Sequence, residues 1–360
     1  MQLHLPVLKA VTGPYQIRKT ECDENNERKE AAVSKKLIVS LSPHEKGELS
    51  VEKVMWGVVI ALMPSFAISV YTFGFDAIKV VLLSVVFCVG IEFLIQKFML
   101  KSETTILDGS AAITGLCLAF NVPSNIPWWQ LLAGSVVAIG ISKMAFGGLG
   151  KNPFNPALVG RAFMLASFPV EMTTWPVPFS NIWSPATDAI TAATPLGRLA
   201  EGGVKALGAL TDPPVEAVDY IDIFIGKVGG SLGEISAAAI LIGGIYMLYK
   251  KIITWHIPVF YLLSLAGFSG LLWIIDPSKY ADPLFHLLAG GAMLGAWFMA
   301  TDLVTSPMSV KGQIIFAVLG GLLCGAIRIY GSYPEGCSYS ILIMNAFVPL
   351  IDKYSKPKRF

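Results

Sequence analysis

The chain has 360 residues, 54% of them apolar and 14% charged, with a formal net charge of +2. That is too apolar for a soluble chain of this length and too long for one anchored span, and it points to a bilayer protein with no nucleic-acid partner. At roughly 20 apolar residues per spanning helix, the stretches between Val51 and Ile351 leave room for about ten segments, some of them short or broken.

Met1 to Gln16 lacks a basic region followed by a sustained apolar core, so it is not read as a cleaved signal peptide, and targeting falls to the first span. Acids and bases then alternate from Arg18 to Lys36, a composition that cannot bury a core. Residues 1–50 are therefore expected to form a solvated cytoplasmic segment whose apolar start can dock on a partner. The five cysteines, Cys22, Cys88, Cys117, Cys324 and Cys337, lack metal-ligand spacing. They read as buried thiols, and no metal site is expected from this chain alone.

The clearest spans are Lys53 to Phe73, Asp76 to Phe98, Trp129 to Met144, Gly233 to Leu248, Trp255 to Ile275, Gly312 to Tyr330 and Ser338 to Ile351. Three shorter ones stop at helix breakers: Gly109 to Phe120, Asn155 to Phe168, and Leu287 to Thr301. Trp128, Trp129 and Trp255, near span ends, read as interfacial anchors. Isolated glycines such as Gly243 and Gly270 read as close-packing positions.

With the N-terminus in the cytoplasm, threading puts Lys97/Lys101, Lys143/Lys151, Lys250/Lys251, Lys311 and the tail bases Lys353, Lys356, Lys358 and Arg359 inside. That satisfies the positive-inside rule at each inner loop. The segment from Glu171 to Gly229 then lies outside, with seven acids against three bases.

The two halves echo each other. Gly115 to Pro123 recurs loosely as Gly295 to Pro307, and Phe146 to Phe163 as Tyr330 to Phe347. An odd number of segments per half turns the second copy upside down. The expected fold is thus an all-α polytopic membrane protein of about ten transmembrane helices, arranged as two inverted five-helix repeats with broken helices. Its parts are a first repeat (51–169), an extracytoplasmic loop (170–232), a second repeat (233–351) and a basic cytoplasmic tail (352–360). Backbone groups freed at the breaks must line a protein cavity or hold a ligand.

Within the outer loop stands Asp188-Ala-Ile-Thr191-Ala192-Ala193-Thr194-Pro195. Ala192 and Ala193 leave the backbone open to a modifying enzyme, and Pro195 biases Thr194 toward an extended conformation. Elsewhere stand Leu41 to His44 (Leu-Ser-Pro-His), Ala61 to Pro64, Tyr71 to Gly74, Asp108 to Ser110, Phe146 to Ala157, Gly230 to Ser236 and Met299 to Pro307. In these motifs, in this order, the chain after about Lys36 resembles the D-subunit family of the Rnf electron-transport complex. That family is related to the B subunit of the sodium-pumping NADH:quinone reductase, and the Ser-Pro-His element and modest N-terminal extension favour the Rnf side.

The resemblance implies a flavinylation signature at Asp188, Thr191, Ala192, Ala193 and Thr194, with FMN joined to Thr194 by a phosphoester. Ala192 stands where glycine is common in the family. Asp188 would serve recognition by the FMN transferase or, more plainly, cap a helix. A second, non-covalent flavin, riboflavin, is expected near Asn152 and Asn155 on the cytoplasmic side. Arg161 would approach a flavin edge, or snorkel, or pair with an acid. Ser231 and Gly233 would open a helix whose N–H groups face the FMN, unless Ser231 simply caps it. Glu92 and Asp302 are the intramembrane acids eligible for an ion path, or for capping and pairing.

The activity implied is that of a subunit passing electrons between ferredoxin and NAD partners, coupled to Na+ or H+ movement in the bacterial inner membrane. Other membrane and flavoprotein subunits would be its partners. No dinucleotide-binding fingerprint and no complete active site stand on this chain. The rival classes are a secondary transporter, which shares the inverted-repeat architecture, and a structural scaffold for neighbouring subunits.

Overall fold

The computed structural model describes residues 50–101, 104–179, 193–204, 219–331 and 335–355. Asp188, Thr191, Ala192 and Cys22, like the N-terminal segment 1–49, lie outside the described residues. Every regular element among the described residues is a helix.

The first helix, α1 (Val51–Phe73), is capped by Ser50, whose Oγ accepts from the Lys53 N–H at 3.2 Å. It ends at Gly74, where φ is +62°, and α2 (Phe75–Leu94) follows at once, running on as a π-helical turn over Ile95–Leu100. The short α3 (Ser110–Phe120) starts after Asp108, whose Oδ1 accepts from the Ser110 N–H and hydroxyl. Next come α4 (Trp128–Ser135), continued by a π-helical turn over Val136–Ile141, and α5 (Pro156–Ser167). Asn155 caps α5 by accepting from the N–H groups of Ala157 and Leu158, and Pro156 takes the first helical position, where its missing N–H costs nothing.

Past the single turn α6 (Pro169–Met172) come α7 (Pro195–Gly202) and α8 (Tyr220–Ile225). The remaining helices are α9 (Ala237–Tyr249), α10 (His256–Ile275), α11 (Pro283–Leu288), the one-turn α12 (Ala292–Leu294) with a π-helical turn over Gly295–Met299, α13 (Val310–Tyr330) and α14 (Cys337–Ser355).

Among the described residues five helices are long and apolar enough to cross a membrane: Val51–Phe73, Phe75–Leu100, Trp128–Phe146, His256–Ile275 and Val310–Tyr330. Shorter apolar helices, α3, α5 and α9, lie among them. The surface agrees with a bilayer setting. Ile60, Leu82, Val86, Ile242, Leu271 and Ile274 are exposed, while Ser84, Glu92, Gln130, Lys143, Arg161 and Asn345 are buried. In water, so much exposed apolar surface would drive association.

Two sequence expectations change here. The span expected over Leu287 to Thr301 is not one helix: α11 stops at Leu288, Gly290 takes φ +67°, and the chain resumes only at Ala292. A Cβ on Gly290 would run into the Leu196 side chain, so close approach as well as backbone conformation requires glycine. The span expected to open at Gly233 opens instead at Ala237, capped by Ser236, because residues 231–235 run as packed irregular chain.

Neighbouring helices approach through glycines. A Cβ on Gly115 of α3 would meet the α2 backbone at Val85 Cα, 2.8 Å away, and Ser84 Oγ donates across the same contact to Gly115 O at 2.7 Å. Gly243 of α9 lies against Ala61 O of α1. This is the small-residue packing by which membrane helices associate without a hydrophobic drive. Gly243 and Gly270 both serve packing as expected, the latter against Pro283.

Helix α1 packs on α9, and α5 on α14. Within the chain's first part α2 packs on α3 and α4, and in its later part α10 packs on α13 and α13 on α14.

Gly243→Ala should lower thermal stability by about 1–3 kcal/mol, the usual cost of overpacking. Gly267→Ala, where a Cβ meets nothing within 4 Å, should not lower it in the same melting assay, since alanine is the better helix former.

Candidate functional site

Thr194 is half-buried, with extended backbone (φ −64°, ψ 159°) ahead of Pro195. The proline ring disfavours the helical region for the residue before it, so Thr194 becomes the cap of α7 and its Oγ1 accepts from the Gly197 N–H at 3.0 Å. Ala193 and Thr194 form part of the wall of a cavity of about 380 Å³, facing Leu165, Met172 and Trp175. Arg161 and Glu335 close its inner end.

Arg161 is 3% exposed. It pairs with Glu335 and donates to Asn121 Oδ1 and to Ser338 Oγ, each at 2.8 Å. Of the readings open for Arg161, it pairs with an acid, and it does so in the cavity of Thr194 rather than beside Asn152 and Asn155.

On the other side of Thr194 a small cleft is lined by Gly229, Gly230, Glu234, Gly290 and Glu335. Glu234 is buried; its Oε1 accepts from the Ser231 N–H at 3.1 Å, and its Oε2 has no hydrogen-bond partner among the described residues. A Cβ on Gly291 would sit 3.0 Å from that oxygen and 3.9 Å from Arg161, so the guanidinium faces two carboxylates.

The amides of 231–233 are already engaged. Ser231 N–H goes to Glu234, Leu232 N–H to Val122 O (3.3 Å) and Gly233 N–H to Phe120 O (2.9 Å), while Ser69 Oγ donates to Leu232 O. Ser231 does not cap α9, since Ser236 does, and its own buried hydroxyl is without a partner among the described residues.

Arg328 of α13 ties this region together, donating to the main-chain oxygens of Glu335 (2.9 Å), His286 (2.5 Å) and Ala289 (3.1 Å). Near α8, the Tyr220 hydroxyl donates to Asp282 at 2.5 Å. Burial and then that carboxylate push the phenol up to about 12, so it keeps its proton and the bond.

A second cavity, of about 90 Å³, collects Asn152, Asn155, Lys143, Ser110, Thr114 and Asp302. Asn155 Nδ2 donates to Met299 O at 3.3 Å, and with its amide oriented to suit its neighbours Asn345 accepts from the Asn155 N–H at 3.1 Å. Asp302 turns the chain by accepting from the Val304 N–H (3.4 Å) and the Thr305 hydroxyl (3.0 Å).

Here charge counting misplaced a residue. Lys143 is not a loop charge facing solvent: it is 1% exposed, with Nζ 2.7 Å from Glu92 Oε2 and 2.7 Å from Ser110 Oγ. Glu92 is therefore paired, and its Oε1 accepts from Gln96 Nε2 at 3.1 Å. Cys88, Cys117, Cys324 and Cys337 are buried free thiols, and among the described residues no group of His, Cys, Asp and Glu could hold a metal ion.

The sequence pattern of the NQR2, RnfD, RnfE family matches residues 38–360. The chain belongs to this family. Among its relatives is the D subunit of the Na(+)-translocating ferredoxin:NAD(+) oxidoreductase complex of Acetobacterium woodii, 47% identical over 89% of this chain and 94% of that one. The D subunit of the proton-translocating ferredoxin:NAD(+) oxidoreductase complex of Clostridium ljungdahlii is 44% identical over 92% and 98%. That of the ion-translocating oxidoreductase complex of Stutzerimonas stutzeri is 40% identical over 86% and 92%.

Sequence reasoning missed Glu234, Glu335, Arg328 and Lys143 as site residues of this family member. Glu234 stands inside the motif from Gly230 to Ser236, whereas nothing around Glu335 marks it.

Replacing Arg161 with Met leaves the buried carboxylate of Glu234 and the half-buried one of Glu335 without their cation and should cost roughly 3–5 kcal/mol in the melting of the detergent-purified chain. Adding Glu335→Gln should recover part of that loss. An unaltered melting temperature in the single variant would mean the guanidinium does not compensate these acids.

Proposed function

We propose that the chain is the flavin-carrying D subunit of an Rnf-type complex, with FMN joined to the Thr194 hydroxyl as a phosphoester. It would pass electrons between ferredoxin and NAD partners, coupled to movement of Na+ or H+. The observation that carries this reading is the placing of Thr194: a half-buried residue of extended backbone at the opening of α7 and in the wall of a cavity of about 380 Å³. That volume falls within the ordinary range of pockets for drug-sized ligands, roughly 300–1,000 Å³. Leu165, Met172 and Trp175 supply an apolar wall for a planar ring.

Bound there, FMN would supply one- and two-electron transfer chemistry. Arg161, held in its ion pair with Glu335, would line the site, and Trp175 and Met172 would exclude water. The cavity at Asn152 and Asn155, at about 90 Å³, falls below the same range of roughly 300 Å³ and upward, so a riboflavin ring does not fit it in this conformation. Its size suits a few waters or an ion, which favours Asp302 in its wall, and Glu92 joined to that wall through Lys143, as ion-path acids.

The arrangement we favour is two inverted five-helix repeats in the bacterial inner membrane, both chain ends cytoplasmic and the Thr194 loop extracytoplasmic. The pairing of α1 with α9 and of α5 with α14 supports it, because equivalent elements meet each other across a two-fold axis. The partners are the complex's other membrane and flavoprotein subunits and the FMN transferase that modifies Thr194.

Expressed with that transferase, the chain should give an SDS-resolved band that fluoresces under ultraviolet light and an intact mass raised by one FMN phosphoester. Thr194→Ala should abolish both. A dark band of unmodified mass from transferase-positive cells would overturn the assignment and favour a transporter.

A further inference from the structure

Glu92 and the small cavity are separated by one side chain. Lys143 and Ser110 stand in the cavity wall with Thr114 and Asp302, whereas Glu92 is not among the described lining residues. The Lys143 ammonium bridges the two compartments, 2.7 Å from Glu92 Oε2 and 2.7 Å from Ser110 Oγ. Behind it, Gln96 holds Glu92 Oε1 at 3.1 Å, and Asp108 Oδ1 accepts from the Ser110 hydroxyl at 2.6 Å. The charged groups around this point are Glu92, Asp108, Lys143 and Asp302.

Neither member of the buried pair can be left alone in a low-dielectric interior, because an unpaired charge there is heavily penalised. Lys143 can leave Glu92 only if another carboxylate receives it and another cation replaces it. Asp302 meets the first condition: it faces the same cavity, and its two bonds, from the Val304 N–H and the Thr305 hydroxyl, leave lone pairs free. The oxygens Lys143 now occupies, a carboxylate and a hydroxyl, are ligands a hard monovalent cation accepts.

We propose that Lys143 is a tethered cation gating a monovalent-cation site formed by Glu92 and Ser110. As a mobile cation enters against Glu92, the ammonium crosses to Asp302, and the proton that Asp302 carries while no cation faces it leaves to the cavity, so that neither acid stands as an unpaired charge before or after the move. This rests on the reading of Glu92 and Asp302 as ion-path acids. Sodium would sit between Glu92 Oε2 and Ser110 Oγ, and a proton would reside on Glu92 itself.

The test uses the whole complex in sealed vesicles, measuring radioactive sodium uptake and, with a pH dye, proton uptake per electron transferred. Lys143→Met should lower the half-saturating cation concentration about tenfold, within the usual range for coupled ligands, because Glu92 loses its competitor. Uptake per electron should fall about fivefold or more in Lys143→Met and in Asp302→Asn, the cation tightening being confined to the former. Both variants remaining within about twofold of the parent would overturn the proposal.

If Lys143→Met does not assemble, judged by co-purification of the partner subunits, Asp302→Asn and the charge-swapped double variant Glu92→Lys/Lys143→Glu decide. Assembly of the swap without coupled uptake supports gating, and full coupled uptake in it, or in Asp302→Asn, overturns gating. Glu92→Gln separates the two readings. Unchanged uptake there sinks the ion-path reading itself, whereas a loss there with none in Lys143→Met and Asp302→Asn sinks the gate alone. The same losses seen for protons and not for sodium identify the proton as the mobile cation.

Discussion

The architecture turns on one constraint: backbone polar groups freed where a helix breaks have no water to bond inside an apolar shell. Side chains from distant elements take that place. Arg328 covers the main-chain oxygens of His286 and Ala289 where α11 gives way to Gly290. Asn121 Nδ2 covers Cys117 O at the end of α3 while its Oδ1 receives Arg161. Asn155 caps its own helix and reaches Met299 O at the end of the π-helical turn. Each break is thereby tied to an element from elsewhere in the chain, and each tie delivers a polar group to an interior that lipid alone would not permit.

Buried charges are a poor means of stabilising a protein, since desolvation offsets most of what their attraction returns. Two compensated sets nevertheless persist here, Lys143 with Glu92 and Arg161 with Glu335 and Glu234, and each borders a cavity. The two cavities differ in kind. That of Thr194 is the larger and has an aromatic and aliphatic wall, whereas that of Asp302 is small and rich in hydroxyl, amide and charged groups. Such a division suits electron transfer at one place and ion handling at another within one helical body.

The sequence carried most of the helices because long apolar runs and their caps are local signals. Ser50, Asn155 with Pro156, and Thr194 with Pro195 all open helices as residue chemistry dictates. Lys143 was misread because a lysine at the end of an apolar run looks the same whether it reaches water or turns inward. Only the carboxylate of Glu92, on another helix, decides it. Arg161 was grouped with Asn155, its neighbour in sequence, yet α5 is long enough to carry the two toward different cavities. Glu234 and Glu335 become site residues through tertiary contacts alone. The break at Gly290 was hidden by the apolar residues on both sides, which read as one span.

The relatives bear on the cation in a specific way. Two subunits of similar identity to this chain, 47% and 44%, bear the names of a sodium-translocating and a proton-translocating complex. Overall similarity therefore does not choose the ion. A carboxylate and a hydroxyl serve either: sodium needs several oxygens at once, a proton needs one carboxylate. At the cation site proposed above, what would separate them is the number of further oxygens near Glu92 and Ser110, with Thr114 and Asp302 the candidates that share a cavity wall with Ser110. A buried ammonium imposes the same electrostatic condition in both cases, that a charge of equal sign must arrive as it leaves. Selectivity can thus diverge by small changes in cavity lining while the carboxylate, the lysine and the broken helices around them remain the same.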